Sequence, residues 1–346
     1  MGLFSSLFGK KGPPPEGEPE TGQPELDPAE ALDAPDGALR VDAIRLLLER
    51  WRGGDLHAAE SLAPRLPDLL GDPEPLARVA ALSGVRLLRN PENLAKCESA
   101  VLALLADAIP QVRVAAIWSA AHIPGDTARA QVRSALGSEE ESMRFAAACA
   151  LSDAQDAAAL PELTAALQDD HRRQEALSAI MSLGDAAAVP EVAKLFEQES
   201  LGDFDRTLAA AALARFGDSR GGAHLVSRIE SDADDRPIAA EWAGRLGVQE
   251  AIPALTDVAE SEGDAARGAA VRALGRLKAP GAEDRLLRLA GDPGAPEDLR
   301  MDAAEGLAEL STPAALELLR ALAAEAPPEL QQLCQELLLE VQANAG

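Results

Sequence analysis

An arginine recurs along this chain as Arg40, Arg78, Arg113, Arg144, Arg173, Arg206, Arg236, Arg267 and Arg300, at intervals of 29 to 38 residues. Three residues after each stands an alanine: Ala43, Ala81, Ala116, Ala147, Ala176, Ala209, Ala239, Ala270 and Ala303. Seven residues after each the side chain is apolar (Leu47, Val85, Ala120, Leu151, Ile180, Leu213, Ala243, Leu274, Leu307), and ten after it only Arg50 breaks the apolar series. Offsets of three, seven and ten advance by four and then three, which puts those side chains on one face of an α-helix and leaves no period-two alternation for a strand. Alanine at offset three has a steric reason: a small side chain lets neighbouring helix axes approach, and a larger one holds them apart. The chain therefore buries the same narrow helical face again and again, each copy against a neighbour built like itself.

Between these units lies a second, shorter helical stretch, often opened by proline, whose missing N–H costs nothing in a first turn. Examples run from Pro161 to Leu167, Pro190 to Phe196 and Pro313 to Leu319. Gly184-Asp185 and Gly217-Asp218 close units with a glycine suited to a left-handed cap and an aspartate suited to starting the next helix. Helix, turn and helix in series predict an all-α, right-handed α-solenoid of about nine to ten helix pairs over residues 37–343. The first unit, Ala38 to Trp51, has no clear helix before it and reads as an N-terminal cap. Gln331 opens a tenth unit with Cys334, Leu338 and Val341 at the expected offsets, so residues 327–343 read as a divergent cap repeat with glutamine in place of arginine.

The period near 30, the loop acid, the arginine, Ala-Ala and a closing Leu-Gly-Asp resemble the HEAT repeat, in the short bacterial variety named after phycobilisome lyases. Asp72 to Leu88 and Asp107 to Ile123 match it best, and the resemblance covers residues 37–343. It implies that each arginine pairs with a loop aspartate of its own or the adjacent repeat. Candidates are Asp72 and Asp107, six residues before an arginine, and Asp36, Asp169 and Asp232, four before one.

Aromatic residues make up only 3% of the chain and tyrosine is absent, so small apolar side chains must fill the core. That suits a solenoid, whose repeats pack only on their neighbours. Cys97, Cys149 and Cys334 have no metal-type spacing and read as buried thiols of a cytoplasmic protein. A net charge of −26 repels phosphate backbones and argues against nucleic acid as a partner. No apolar run is long enough to span a membrane, no signal peptide pattern opens the chain, and the alanine- and arginine-heavy composition looks bacterial.

Residues 1–11 put Leu3, Phe4, Leu7 and Phe8 on one helical face ahead of two lysines, a short amphipathic peptide suited to a membrane surface or a partner's groove. Residues 12–36 hold eight acids, no base and seven prolines, and are expected to be a disordered linker.

Offsets one, five and nine are expected to face a groove lined by the second helices. In the first half this row offers Val114, Trp118, Phe145 and Cys149; in the second it offers Arg215, Arg245, Arg272 and Arg276, with Glu241 and Glu305 between them. The aromatic pair suits an anchor for a partner, and the arginines suit an acidic one. Trp242, at the mostly small sixth offset, is expected to fill a local packing gap. Catalysis finds little support. HEAT-type deoxyhypusine hydroxylase holds iron with His-Glu pairs, whereas the four histidines here precede Ala58, Ile123, Arg172 and Leu225, and nothing marks the chromophore site of a bilin lyase subunit. The acid runs at Glu139–Glu141 and Asp232–Asp235 favour helix starts over a metal site. The expected function is a non-catalytic, cofactor-free protein-binding scaffold or adaptor. A HEAT-type enzyme subunit and a peripheral membrane adaptor acting through residues 1–11 are the alternatives.

Overall fold

A computed structural model describes residues 27–231 and 233–344. Every regular element among them is helical, and they divide into two compact units, up to Asp185 and from Ala186. In the first unit the arginine helices are Gly37–Arg52, Pro75–Val85, Pro110–His122, Glu141–Asp153 and Arg173–Leu183. Leu56–Leu62, Pro91–Ala103, Asp126–Ala135 and Leu160–Ala166 alternate with them. In the second unit the arginine helices Asp203–Arg215, Arg236–Leu246, Arg267–Arg276 and Glu297–Leu310 alternate with Val189–Phe196, Ser219–Glu230, Ile252–Glu260, Ala282–Gly291 and Pro313–Glu325, and Pro328–Asn344 follows. Below, each arginine helix takes the name of its arginine.

Within each unit successive arginine helices pack directly on one another, and the offset-three alanines are the reason: eight of the nine are fully buried and Ala43 is 5% exposed. In the second unit the approach is closer still. A Cβ on Gly275 would lie 2.6 Å from the Cα of Gly306, and one on Gly244 would lie 2.7 Å from the Cβ of Ala273. Those glycines stand where backbone meets backbone. Gly184 and Gly217 end their helices at φ 70° and 79°, the left-handed region that a side chain disfavours, and Asp218 then caps the next helix by accepting from the N–H of Arg220 at 3.0 Å.

The arginines hold each helix pair to its neighbour. The last carbonyls of a helix lack intrahelical partners. In the second unit the guanidinium groups of Arg206, Arg236, Arg267 and Arg300 donate to carbonyls in the last turn of the preceding helix, at Phe196, Ile229, Ala259 and Ala290. In the first unit Arg40, Arg78, Arg113 and Arg144 donate instead to loop carbonyls six residues back, at Ala34, Asp72, Asp107 and Ser138. The acid ahead of one arginine then pairs with the arginine of the repeat before. Arg40 meets Asp72 at 2.7 Å, Arg78 meets Asp107 at 2.9 Å, Arg113 meets Glu140 at 2.6 Å and Arg236 meets Asp264 at 2.6 Å. The Arg40 hydrogen bond holds the Asp72 carboxyl below its ordinary range against the opposing pull of burial. At Arg173 the acid is its near neighbour Asp170, Asp169 sits 3.7 Å from Arg172, and Asp36 caps its own helix. Asp232 lies outside the described residues. Gln331 takes over the arginine's part at the last helix, its amide donating to the carbonyl of Ala324 at 3.2 Å.

One boundary differs from expectation. The composition predicts a linker over residues 12–36, yet Pro28–Ala31 is a short helix capped by Asp27, and Ala31, Leu32 and Ala34 are buried against the first repeat. Leu32 supplies the apolar contact, Asp33 pairs with Arg65, and Arg40 fastens the carbonyls of Ala34 and Pro35. Residues 27–36 thus complete the first pair that the sequence left half-formed. Residues 1–26, including Leu3, Phe4, Leu7 and Phe8, lie outside the described residues.

Candidate functional site

On the first unit the face carrying offsets one and five is walled by consecutive arginine helices, not by the second helices, because the arginine helices there pack side by side. It contains a depression of ≈ 480 Å³ whose walls include Ser83, Arg86, Gln111, Val114, Trp118 and Ser142. Val114 and Trp118 are half-buried there, and the guanidinium carbon of Arg86 lies 5.7 Å from the centre of the Trp118 ring. Such a stack holds the ring in place and leaves the arginine's edge open to an anion.

Phe145 and Cys149 do not stand in the groove as expected. Phe145 is 7% exposed and Cys149 4%, because the next repeat's Arg172 covers the phenylalanine, its guanidinium carbon 5.4 Å from the ring centre. Burial, then the carboxylates of Glu175 and Asp153, push the Cys149 thiol far above its ordinary range, and burial pushes the Cys97 and Cys334 thiols to about 11. All three remain protonated at neutral pH and are poor nucleophiles.

The basic row of the second unit is also rearranged by its neighbours. Glu241 is buried, and three arginines converge on it: Arg245 at 2.7 Å, Arg276 at 2.6 Å and Arg272 at 3.3 Å. Arg272 further pairs with Asp302 and, at 3.6 Å, with Glu305, while Arg276 reaches Glu309 at 3.3 Å. Burial works to raise the Glu241 carboxyl, but Arg276, Arg272 and Arg245 together hold it below its ordinary range. Asp302 and Glu305 go the other way, because burial outweighs their share of Arg272. Three of the four arginines expected to offer free positive charge are thus neutralised from within the fold. Arg215 alone is exposed and makes no ion pair with a described residue. Trp242 is buried as expected, 3% exposed with Arg245 over its ring at 5.9 Å.

Within the acid runs Glu140 pairs with Arg113, Glu141 with Arg172, and Asp235 with Arg228 and the hydroxyl of Thr207. Among the described residues no cluster of three or more histidine, cysteine or acidic side chains has the arrangement of a metal site, and no helix is long and apolar enough to cross a membrane.

Sequence reasoning missed Arg45, Arg52 and Arg86. All three are exposed, line this face of the first unit and make no ion pair with a described residue. Arg45 sits at offset five, on the row already singled out, so its sign was legible; that it makes no ion pair with a described residue was not.

No curated protein matches the chain. Among solved structures it is similar to the CpcE–CpcF complex of phycocyanin lyase from Nostoc sp. PCC7120, at 17% identity over 90% of this chain and 99% of that one, with a TM-score of 0.42. It is also similar to human deoxyhypusine hydroxylase in complex with glycerol (20% identity, 73% of this chain, 97% of that one, TM-score 0.31). A third similarity is to the karyopherin Kap121p bound to the extreme C-terminus of the protein phosphatase Cdc14p (15%, 91%, 41%, 0.43). At these values the likenesses carry nothing about activity. The model of HEAT repeats matches residues 98–184, 234–297 and 252–338. Those spans cover more than half of a chain already seen to be built from arginine-phased helix pairs, and the chain belongs to the HEAT repeat family.

Proposed function

We propose that this chain is a non-catalytic protein-binding scaffold whose partner docks on the arginine-helix face of the first unit. The observation that carries the reading is Trp118, a large half-buried aromatic in a ≈ 480 Å³ depression, steadied by an arginine that has no acid of its own. Aromatic and arginine side chains at the centre of a depression are the usual anchors of an interface. The protonated thiols and the ion-paired Glu140, Glu141 and Asp235 support a binding role over a catalytic one. On the motif from Asp72 to Leu88 we read the repeats as the short variety named after phycobilisome lyases.

A photo-crosslinking residue placed at Val114 is expected to join a captured partner, and one at Lys96, exposed on the Pro91–Ala103 helix, is not. Crosslinking from position 96 alone would overturn the assignment of the face. Bound iron or a chromophore, found by metal analysis or absorbance of the purified protein, would overturn the non-catalytic reading.

A further inference from the structure

The Trp118 depression does not end at its own walls. A second one, of ≈ 460 Å³, lies between the Arg40 and Arg78 helices and is lined by Arg45, Arg52, Leu76 and Val79, and Ser83 lines both. Together they form a groove across the Arg40, Arg78 and Arg113 helices. Its charged lining is Arg45, Arg52 and Arg86 against a single carboxylate, Glu49. In a chain of net charge −26 this is a local reversal of sign, and it differs from the second unit, where Glu241 and its neighbours neutralise Arg245, Arg272 and Arg276. The apolar lining is equally open, Leu76 being 50% exposed beside the half-buried Val79, Val114 and Trp118.

Resting on the scaffold reading above, we propose that this groove takes an extended acidic segment of a partner protein, with one large apolar side chain seated beside Trp118 and carboxylates along Arg45, Arg52 and Arg86. The charge of the lining selects the sign of the ligand. Each arginine can gain a carboxylate without giving one up, so no internal ion pair has to break. Arg86 can keep its stack on Trp118 while its edge binds, since the guanidinium plane and its donor fork are separate surfaces. Geometry sets the length. Packed helix axes lie about 8–10 Å apart and an extended chain advances ~3.3 Å per residue. About three ligand residues therefore cross each repeat, and roughly six separate the Arg45 end from the Trp118 seat.

The probes are three labelled peptides, with glutamates, glutamines or lysines around a central leucine–phenylalanine pair, titrated by fluorescence anisotropy against the full chain and variants of unchanged circular dichroism. The glutamate peptide is expected to bind about tenfold or more tightly than the glutamine peptide, an advantage that fades as salt approaches about 0.5 M. Arg45→Glu and Arg86→Glu are each expected to remove much of that advantage. Trp118→Ala should weaken the glutamate and glutamine peptides alike, because it removes the apolar seat. A glutamate advantage untouched by both arginine variants overturns the proposal. Preferential binding of the lysine peptide that is lost in Trp118→Ala overturns the acidic ligand but keeps the docking face. Binding of every peptide that ignores Trp118→Ala overturns both. Binding seen only when Glu16, Glu18, Glu20 and Glu25 are changed to glutamine in the full chain would assign the groove to the chain's own acidic stretch. A chain dimer dissolved by Arg86→Glu would assign it to a second copy. Either outcome overturns a partner's segment as the occupant.

Discussion

Glu241 and Asp302 sit in one ion network, yet their neutralisation is expected to move stability in opposite directions. Glu241→Gln replaces the carboxylate on which Arg245, Arg272 and Arg276 converge with an amide whose N–H₂ faces donors. Removing one partner of a buried ion pair costs about 3–5 kcal/mol. Arg272 and Arg276 keep Asp302 and Glu309 and are 24% and 18% exposed, so the loss is trimmed to about 2–4 kcal/mol. With a urea slope of about 2 kcal/mol per molar, the middle of the usual range, the midpoint should fall by about 1–2 M. Burial raises the Asp302 carboxyl despite Arg272, so its charge is less favoured in the folded chain than in the unfolded one, and Asp302→Asn should be neutral or more stable at pH 7. The pH dependence has the same opposition. The folded Glu241 carboxyl is depressed, so its contribution is present above the unfolded value and lost as pH falls through the folded one. The folded Asp302 carboxyl is raised, so its contribution is present below the unfolded value and lost as pH rises through the folded one. Fluorescence of Trp242, with Trp51→Phe and Trp118→Phe removing the other two indoles, reads the second unit in the full chain. Equal midpoints for the Glu241→Gln variant and its parent would refute the network as a stabilising element.

Other expectations follow from packing and burial. Ala147→Leu should overpack the junction of the Arg144 helix with its neighbours and cost ~1–3 kcal/mol, read as a lowered denaturation midpoint. Gly275→Ala places a methyl 2.6 Å from the backbone of Gly306 and should lower the thermal transition of the second unit, whereas an alanine at the exposed Gly202, which meets nothing within 4 Å, should not. Leu32→Ala should cost about 2–5 kcal/mol in the first unit if residues 27–36 complete its first helix pair, and an unchanged midpoint would return them to the linker. Cys97, Cys149 and Cys334 should react with a thiol reagent at pH 8 only as fast as the unit around each opens, so labelling of each should accelerate with denaturant.

What the sequence by itself determined is everything that repeats within one helix. The offset-three alanines, the apolar offsets and the glycines at 184 and 217 are local to a helix or its cap, and helical geometry converts their spacing into a buried face without reference to any other part of the chain. Family membership followed from the same period. What only the tertiary structure decided is which charged and aromatic side chains remain free. Arg272 and Arg276 meet Glu241 across 31 and 35 residues, Phe145 is covered by Arg172 from the next repeat, and Leu32 finds its apolar neighbours in a helix that follows it. Each of those outcomes depends on how one repeat is set against the next, and a shift of a few ångströms would part the ions. A row of arginines therefore looks the same in the sequence whether an acid one repeat away takes it up, as in the second unit, or leaves it open, as at Arg45, Arg52 and Arg86.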